Sequence, residues 1–232
     1  MSTPILKKIH SLCLCLLFIQ PIFALSNKSS HNLLIINSYN EQAAWSNSII
    51  VPIMQEVGKM SNTSAYVSHL HSILIKNDSL YQHSVNTLFQ RYENTKPHSV
   101  VLIGNMAFTL RDRIKEEWGD IPIILCAGRD SYTSPRYNYP EYESAEIPKD
   151  SIFSISGLKD KYNFTFILCP TYCKETIDMM IKIQPGIKTF IFAADKLFIN
   201  RIHEKEIKSY LSSSYPNIEY KRIYPNSNPA VP

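Results

Sequence analysis

The feature that most narrows the fold is a rhythm of short β-branched runs separated by stretches of helical periodicity. The runs are LLIINS (33–38), AYVSHL (65–70), SVVLIGN (99–105), IPIILCAG (121–128), FTFILCP (164–170), TFIFAAD (189–195) and IEYKRIY (218–224). Between them Trp45, Ile49, Ile53, Val57 and Met60 recur at helical spacing. So do Leu80, Leu88 and Tyr92, then Ala107, Leu110, Ile114 and Trp118, then Ile177, Ile181 and Gln184, each set making one apolar face. Pro185-Gly186 stops the fourth helix, and Pro216-Asn217 stops a fifth that starts near Lys196. Strands this apolar, alternating with helices, predict an α/β fold of parallel sheets flanked by helices rather than a sandwich.

The rhythm breaks once. Residues 129–163 hold prolines, hydroxyls and tyrosines with no sustained period, the pattern of a crossover, lid or binding loop. The chain is therefore divided into a first α/β lobe (31–130), an irregular crossover (131–162) and the start of a second lobe (163–232). Four strands precede the break and three follow it, so the second lobe is expected to be incomplete, with an open sheet edge.

Ahead of the first strand, Lys7 and Lys8 precede the apolar segment SLCLCLLFIQPIFA and the small-x-small triplet Ala24-Leu25-Ser26. This reads as a signal peptide over residues 1–26, cleaved after Ser26, and places the mature chain in the periplasm. Gln20 and Pro21 interrupt the apolar part, which falls short of the roughly 20 residues a membrane span needs. Without Lys7 and Lys8 the formal charge of +4 falls to +2, and no basic cluster is interleaved with aromatics, so no nucleic-acid partner is expected. Cys126, Cys169 and Cys173 remain, an odd number that does not make a disulfide framework. Cys169 and Cys173 lack the second pair a zinc site requires, and a disulfide between them stays open.

In an open parallel sheet, ligands bind beyond the carboxyl ends of the strands. Asn37, Ser38 and Tyr39 leave the first such end, Gly104 and Asn105 the third, and Ala127 to Asp130 the fourth. Each has a plainer role available: Asn105 can cap a helix starting at Met106, and Ser46 or Asn47 can start a helix with Trp45 stapled to the core. Tyr39 and Trp45 together suit a stacking surface in a small-molecule cleft. Asp130 and Asp195 are placed to accept hydrogen bonds from a polar ligand. His69 and His71 share a strand face but have no third ligand, so no metal is assigned. The sequence holds no P-loop, GxGxxG, nucleophile elbow or HExxH, so no catalytic residue and no cofactor are assigned.

Three stretches resemble a known family: LLIINSYNEQAAWSNSIIVPIMQEV, RYENTKPHSVVLIGNMAFTLRDRIKEEWGDIPIILCAGRD and TYCKETIDMMIKIQPGIKTFIFAADKLF. They resemble the extracytoplasmic sensor region of bacterial hybrid two-component sensor histidine kinases, which in turn is similar to type I periplasmic solute-binding proteins. The resemblance implies a two-lobed, periplasmic-binding-protein-like sensor whose cleft takes a small-molecule ligand. Its first rim would be Ser38, Tyr39, Trp45, Asn105 and Arg129, and its second Thr171, Tyr172 and Asp195. It further implies a membrane-bound protein-histidine kinase module as partner, with inner-membrane association, and leaves a homodimer open. The 232 residues carry no kinase motif, and His203 in NRIHEKEIKSY lacks a phosphoacceptor context. The chain is thus expected to be a sensor fragment or, alternatively, a secreted solute-binding protein of a membrane transporter.

Overall fold

The structure, a computed structural model, describes residues 30–127, 130–139, 142, 146–195 and 197–224. Its strands are β1 (His31–Asn37), β2 (Thr63–His69), β3 (Ser99–Ile103), β4 (Ile123–Ala127), the short β5 (Tyr132–Thr133) and β6 (Ile152–Phe153), β7 (Phe164–Leu168), β8 (Thr189–Ala193) and β9 (Glu219–Ile223). The helices are α1 (Ala44–Val57), α2 (Asp78–Arg91), α3 (Asn105–Phe108), α4 (Arg111–Trp118), α5 (Cys173–Ile183) and α6 (Phe198–Ser214). All seven expected β-branched runs form strands. The signal segment 1–26 lies outside the described residues.

Five strands make one all-parallel sheet in the order β2-β1-β3-β4-β7. Leu34, Ile35 and Ile36 are all buried, which is why β1 reads as a continuous apolar run: it is covered on both faces. One face packs Leu34, Ile36, Leu102 and Leu125 against α2, α3 and α4. The other packs Ile35, Val101 and Ile103 against Ile50 of α1.

The domain boundary expected at 163 is corrected by the pairing of β7. That strand runs beside β4 in the register Ile123↔Phe164 and Leu125↔Phe166, and both phenylalanines pack on the main core. It completes the first sheet instead of opening a second lobe. Residues 131–162 are accordingly not a crossover between lobes but the β4 to β7 connection, standing where a helix would stand. Tyr132, Tyr139, Ile155 and Tyr162 are buried, so the segment closes the core with aromatic rings in place of a helical face. Arg111 clamps it, its guanidinium 4.5 Å from the Tyr132 ring centroid and 4.8 Å from that of Phe108. Asp130, a candidate ligand acceptor by sequence, instead accepts from Ser154 Oγ (2.9 Å) and the Ser156 amide (2.6 Å).

Two helical faces also differ from expectation. The single helix expected over Ala107 to Trp118 is broken into α3 and α4. Thr109 Oγ1 donates to the Met106 carbonyl at 2.6 Å and the Leu110 amide bonds Ala107, so side chain and tight turn replace α-helical bonding there. Leu80, placed on the apolar face of α2, is 42% exposed, and the face is completed by Tyr81, Val85 and Phe89.

The chain beyond β7 forms a smaller unit in which β8 and β9 pair in parallel and are covered on one side by α5 and α6. Ile177, Phe190, Ile207 and Leu211 are its core. Arg222 pairs with Glu204 beside it, and Asp178 accepts from the hydroxyls of Tyr210 and Tyr215, each at 2.7 Å. Among the described residues, no helix is long and apolar enough to cross a membrane.

Candidate functional site

At the carboxyl edge of the sheet the first turn is built by Asn37, which is fully buried. Its Oδ1 accepts from the Tyr39 amide (3.3 Å), which turns its Nδ2 toward Ser46 Oγ (3.1 Å) and His69 Nδ1 (3.0 Å). His69 Nδ1 is then the acceptor, so one amide side chain ties β1, β2 and α1 together and fixes how Tyr39 leaves the sheet. Ser38, also buried, accepts from the Ala107 amide at 2.9 Å and so satisfies the start of α3 from a strand 69 residues away. Gly104 makes the turn into α3 at φ +83°, a conformation that favours glycine.

Ser38, Tyr39, Asn105 and Met106 then line a small cleft, closed by Ser72 and Asn138 and, from the smaller unit, by Leu197 and Ile199. Its free volume is about 40 Å³, near the room for one or two waters. Two amide side chains, Asn105 and Asn138, are among its lining residues. Asn138 Nδ2 is buried and without a hydrogen-bond partner, whereas the half-buried Asn105 side chain is open to water. A buried polar group without a partner costs roughly 1–3 kcal/mol, so one that borders a cleft calls for a polar guest.

Tyr39 is the cleft's aromatic wall. Its side chain is 36% exposed as a whole, yet desolvation raises the phenol's pKa and the Asp195 carboxylate raises it further. Trp45 stands edge-on to it, ring centroids 5.7 Å apart at 82°. Trp45 is 43% exposed, so it is not the core staple that was one of its two expected roles.

Ser38, Tyr39 and Asn105 line this one cleft, and Trp45 packs edge-on to Tyr39. Asp195 lies near them but is engaged at the start of α6, accepting from the Leu197 amide (2.9 Å) and Asn200 Nδ2 (2.7 Å). Thr171 and Tyr172 lead into α5 and do not line the cleft; Tyr172 is 61% exposed. The far side of this cleft is instead formed by Leu197 and Ile199, at the start of α6. Arg129 lies outside the described residues. Asn138 was missed by sequence reasoning because it sits in the aperiodic segment, and its one signal is the adjoining Tyr139, whose burial pins that turn.

No family model matches this sequence, and no curated protein matches it. Two solved structures share its architecture. One is described as a LacI transcriptional regulator from Bacteroides fragilis, with a TM-score of 0.53 and 12% identity over 84% of this chain and 60% of that one. The other is the ABC domain from Streptococcus pneumoniae in complex with L-Trp, with a TM-score of 0.50 and 14% identity over 85% of this chain and 58% of that one. The fold is type I periplasmic-binding-protein-like. The chain spans about three-fifths of the length of each of those structures. Its five-stranded sheet is one α/β lobe, and the cleft lies where the carboxyl edge of that lobe meets the start of α6.

Proposed function

We propose that the chain is an exported small-ligand-sensing domain of a two-component sensor histidine kinase, with its ligand held between the carboxyl edge of the five-stranded sheet and the start of α6. The observation that carries the ligand-binding part is the cleft itself: the buried, unpartnered Nδ2 of Asn138, with Asn105 and the aromatic ring of Tyr39 lining the same cleft. At about 40 Å³ the cleft holds no more than one or two waters as it stands, so a small molecule with a polar group for Asn138 and an apolar body against Tyr39 enters only as the cleft opens. Because Leu197 and Ile199 already close the cleft, a ligand entering there would displace α6 from the first lobe, and that displacement is the motion a membrane-bound kinase would read. The kinase connection rests on the sequence resemblance over residues 33–57, 91–130 and 171–198. Export to the periplasm rests on Lys7, Lys8 and the apolar segment that follows.

Two measurements test this. Thermal melts against a panel of amino acids and other small metabolites, with L-Trp as the first probe, should find a compound that raises the melting temperature of the wild type and not of Tyr39→Ala. Reading the DNA downstream of the Pro232 codon separates the two settings for such a domain. In-frame kinase motifs support the sensor, whereas adjoining permease genes would replace it with a solute-binding protein of a membrane transporter.

A further inference from the structure

The end of β2 and the exposed side of α2 enclose a second groove, apart from the cleft, with a volume of about 410 Å³. That is within the range of small-molecule sites. His71 shapes it. As the one described non-glycine residue with positive φ (+49°), it turns the chain from β2 into the 3-10 turn Ser72–Leu74, which sets Leu74 and Ile75 opposite α2. Leu70, Ile75 and Leu88 are buried and form the floor, while Leu74 and Leu80 stand 64% and 42% exposed on the rim.

One end of the groove is basic. Leu80, Ser84, Thr87 and Arg91 follow one another at helical spacing, so the rim leucine, two hydroxyls and the guanidinium share one face of α2, with His83 beside them. No acidic residue lines the groove, and no ion pair engages Arg91 among the described residues. The other histidines are occupied: His69 Nδ1 by the Asn37 amide, and His71 Nε2 by Glu41 Oε1 at 3.4 Å. The last turn of a helix favours a cation for its dipole alone, a role that any positive charge fills. An apolar trough that ends on an unpaired planar guanidinium has a narrower complement, because that fork matches a carboxylate.

The geometry points to a second binding site here, for a small amphipathic carboxylate whose apolar body lies over Leu70, Ile75 and Leu88 and whose carboxylate meets Arg91. Decanoate is the probe, titrated calorimetrically into the full chain below its micellar range, with decanol and acetate as halves of the same molecule. The expected result is saturable one-site binding of decanoate, with decanol and acetate at least tenfold weaker. Arg91→Gln should weaken decanoate binding at least tenfold, Arg91→Lys less, and Thr87→Trp should abolish it by filling the groove. Tyr39→Ala, at the other site, should leave it unchanged. Thr87 and Arg91 are exposed, and unchanged melting temperatures would show that their variants fold. Absence of saturable binding overturns the inference, as does binding that survives both Arg91→Gln and Thr87→Trp or that is lost in Tyr39→Ala. Sedimentation that shows a dimer dissolved by Thr87→Trp overturns it too, by assigning the groove to a second copy of the chain.

Discussion

Gly104 and Gly119 form a matched pair that measures how tightly the cleft is built. Gly104 has φ +83° and ψ 170°, and Gly119 has φ +86° and ψ −164°. Both lie in a region that is essentially confined to glycine, where a side chain costs roughly 1–3 kcal/mol in backbone strain. A Cβ at Gly119 would meet nothing within 4 Å, whereas one at Gly104 would lie 2.9 Å from Ser38 Oγ, 3.0 Å from Tyr39 Cε2 and 3.1 Å from Ser38 Cβ. Ser38 cannot readily withdraw, since its hydroxyl holds the Ala107 amide. Gly104→Ala therefore adds overpacking of roughly 1–3 kcal/mol to the strain that both variants share. For a chain of this size each kcal/mol moves the melting temperature by about 2–4 °C, so Gly104→Ala should melt below Gly119→Ala by on the order of 5 °C. Parallel thermal denaturation followed by circular dichroism measures the difference. Equal melting temperatures would refute the close approach of β3 to Ser38 and Tyr39, and with it the way the cleft's first wall is placed.

Other substitutions separate binding from folding. Ser38→Ala leaves the Ala107 amide buried without its acceptor and should cost about 1–3 kcal/mol in chemical denaturation; a neutral result would mean that water replaces the hydroxyl. Trp45→Ala, half-exposed beside Tyr39, should weaken ligand binding by about 1 kcal/mol with little change in melting temperature, and a collapsed melt would reassign the indole to the core. In the smaller unit, burial pushes the Glu204 carboxyl up, but Lys208, Tyr220 and Arg222 outweigh it and its net pKa lies below the ordinary glutamate value. A lowered folded pKa means stability that is present above the unfolded value and lost as pH falls through the folded one. The melting-temperature gap between wild type and Glu204→Gln should therefore be wide at neutral pH and narrow on acidification; a gap that does not change with pH would contradict this.

The parallel α/β character was legible because Leu34, Ile35 and Ile36, like Val100 to Ile103, are apolar without alternation and suit strands covered on both faces. The partner of β7 was not legible. Phe164 and Phe166 alternate with Thr165 and Ile167, a pattern that serves a strand of either lobe, and the register with β4 alone decides between them. Trp45 and Leu80 show the same limit from the helix side: periodicity places a residue on a face, and tertiary packing determines whether that face is covered there. Within the site, Ser38, Tyr39 and Asn105 could be found because strand ends of a parallel sheet share an edge. Asn138 could not, since its place depends on how far an aperiodic segment wraps around the core before Tyr139 anchors it.

Ligand-dependent melting of the wild type beside Tyr39→Ala and Asn105→Ala tests the cleft most directly. A ligand at one hundred times its dissociation constant stabilises the fold by about 2.7 kcal/mol, roughly 5–10 °C here. At least one small molecule should produce such a rise in the wild type, and the rise should fall sharply in both variants while their unliganded melts stay close to that of the wild type. A rise of full size in both variants would place the ligand elsewhere on the chain and contradict the cleft as its site.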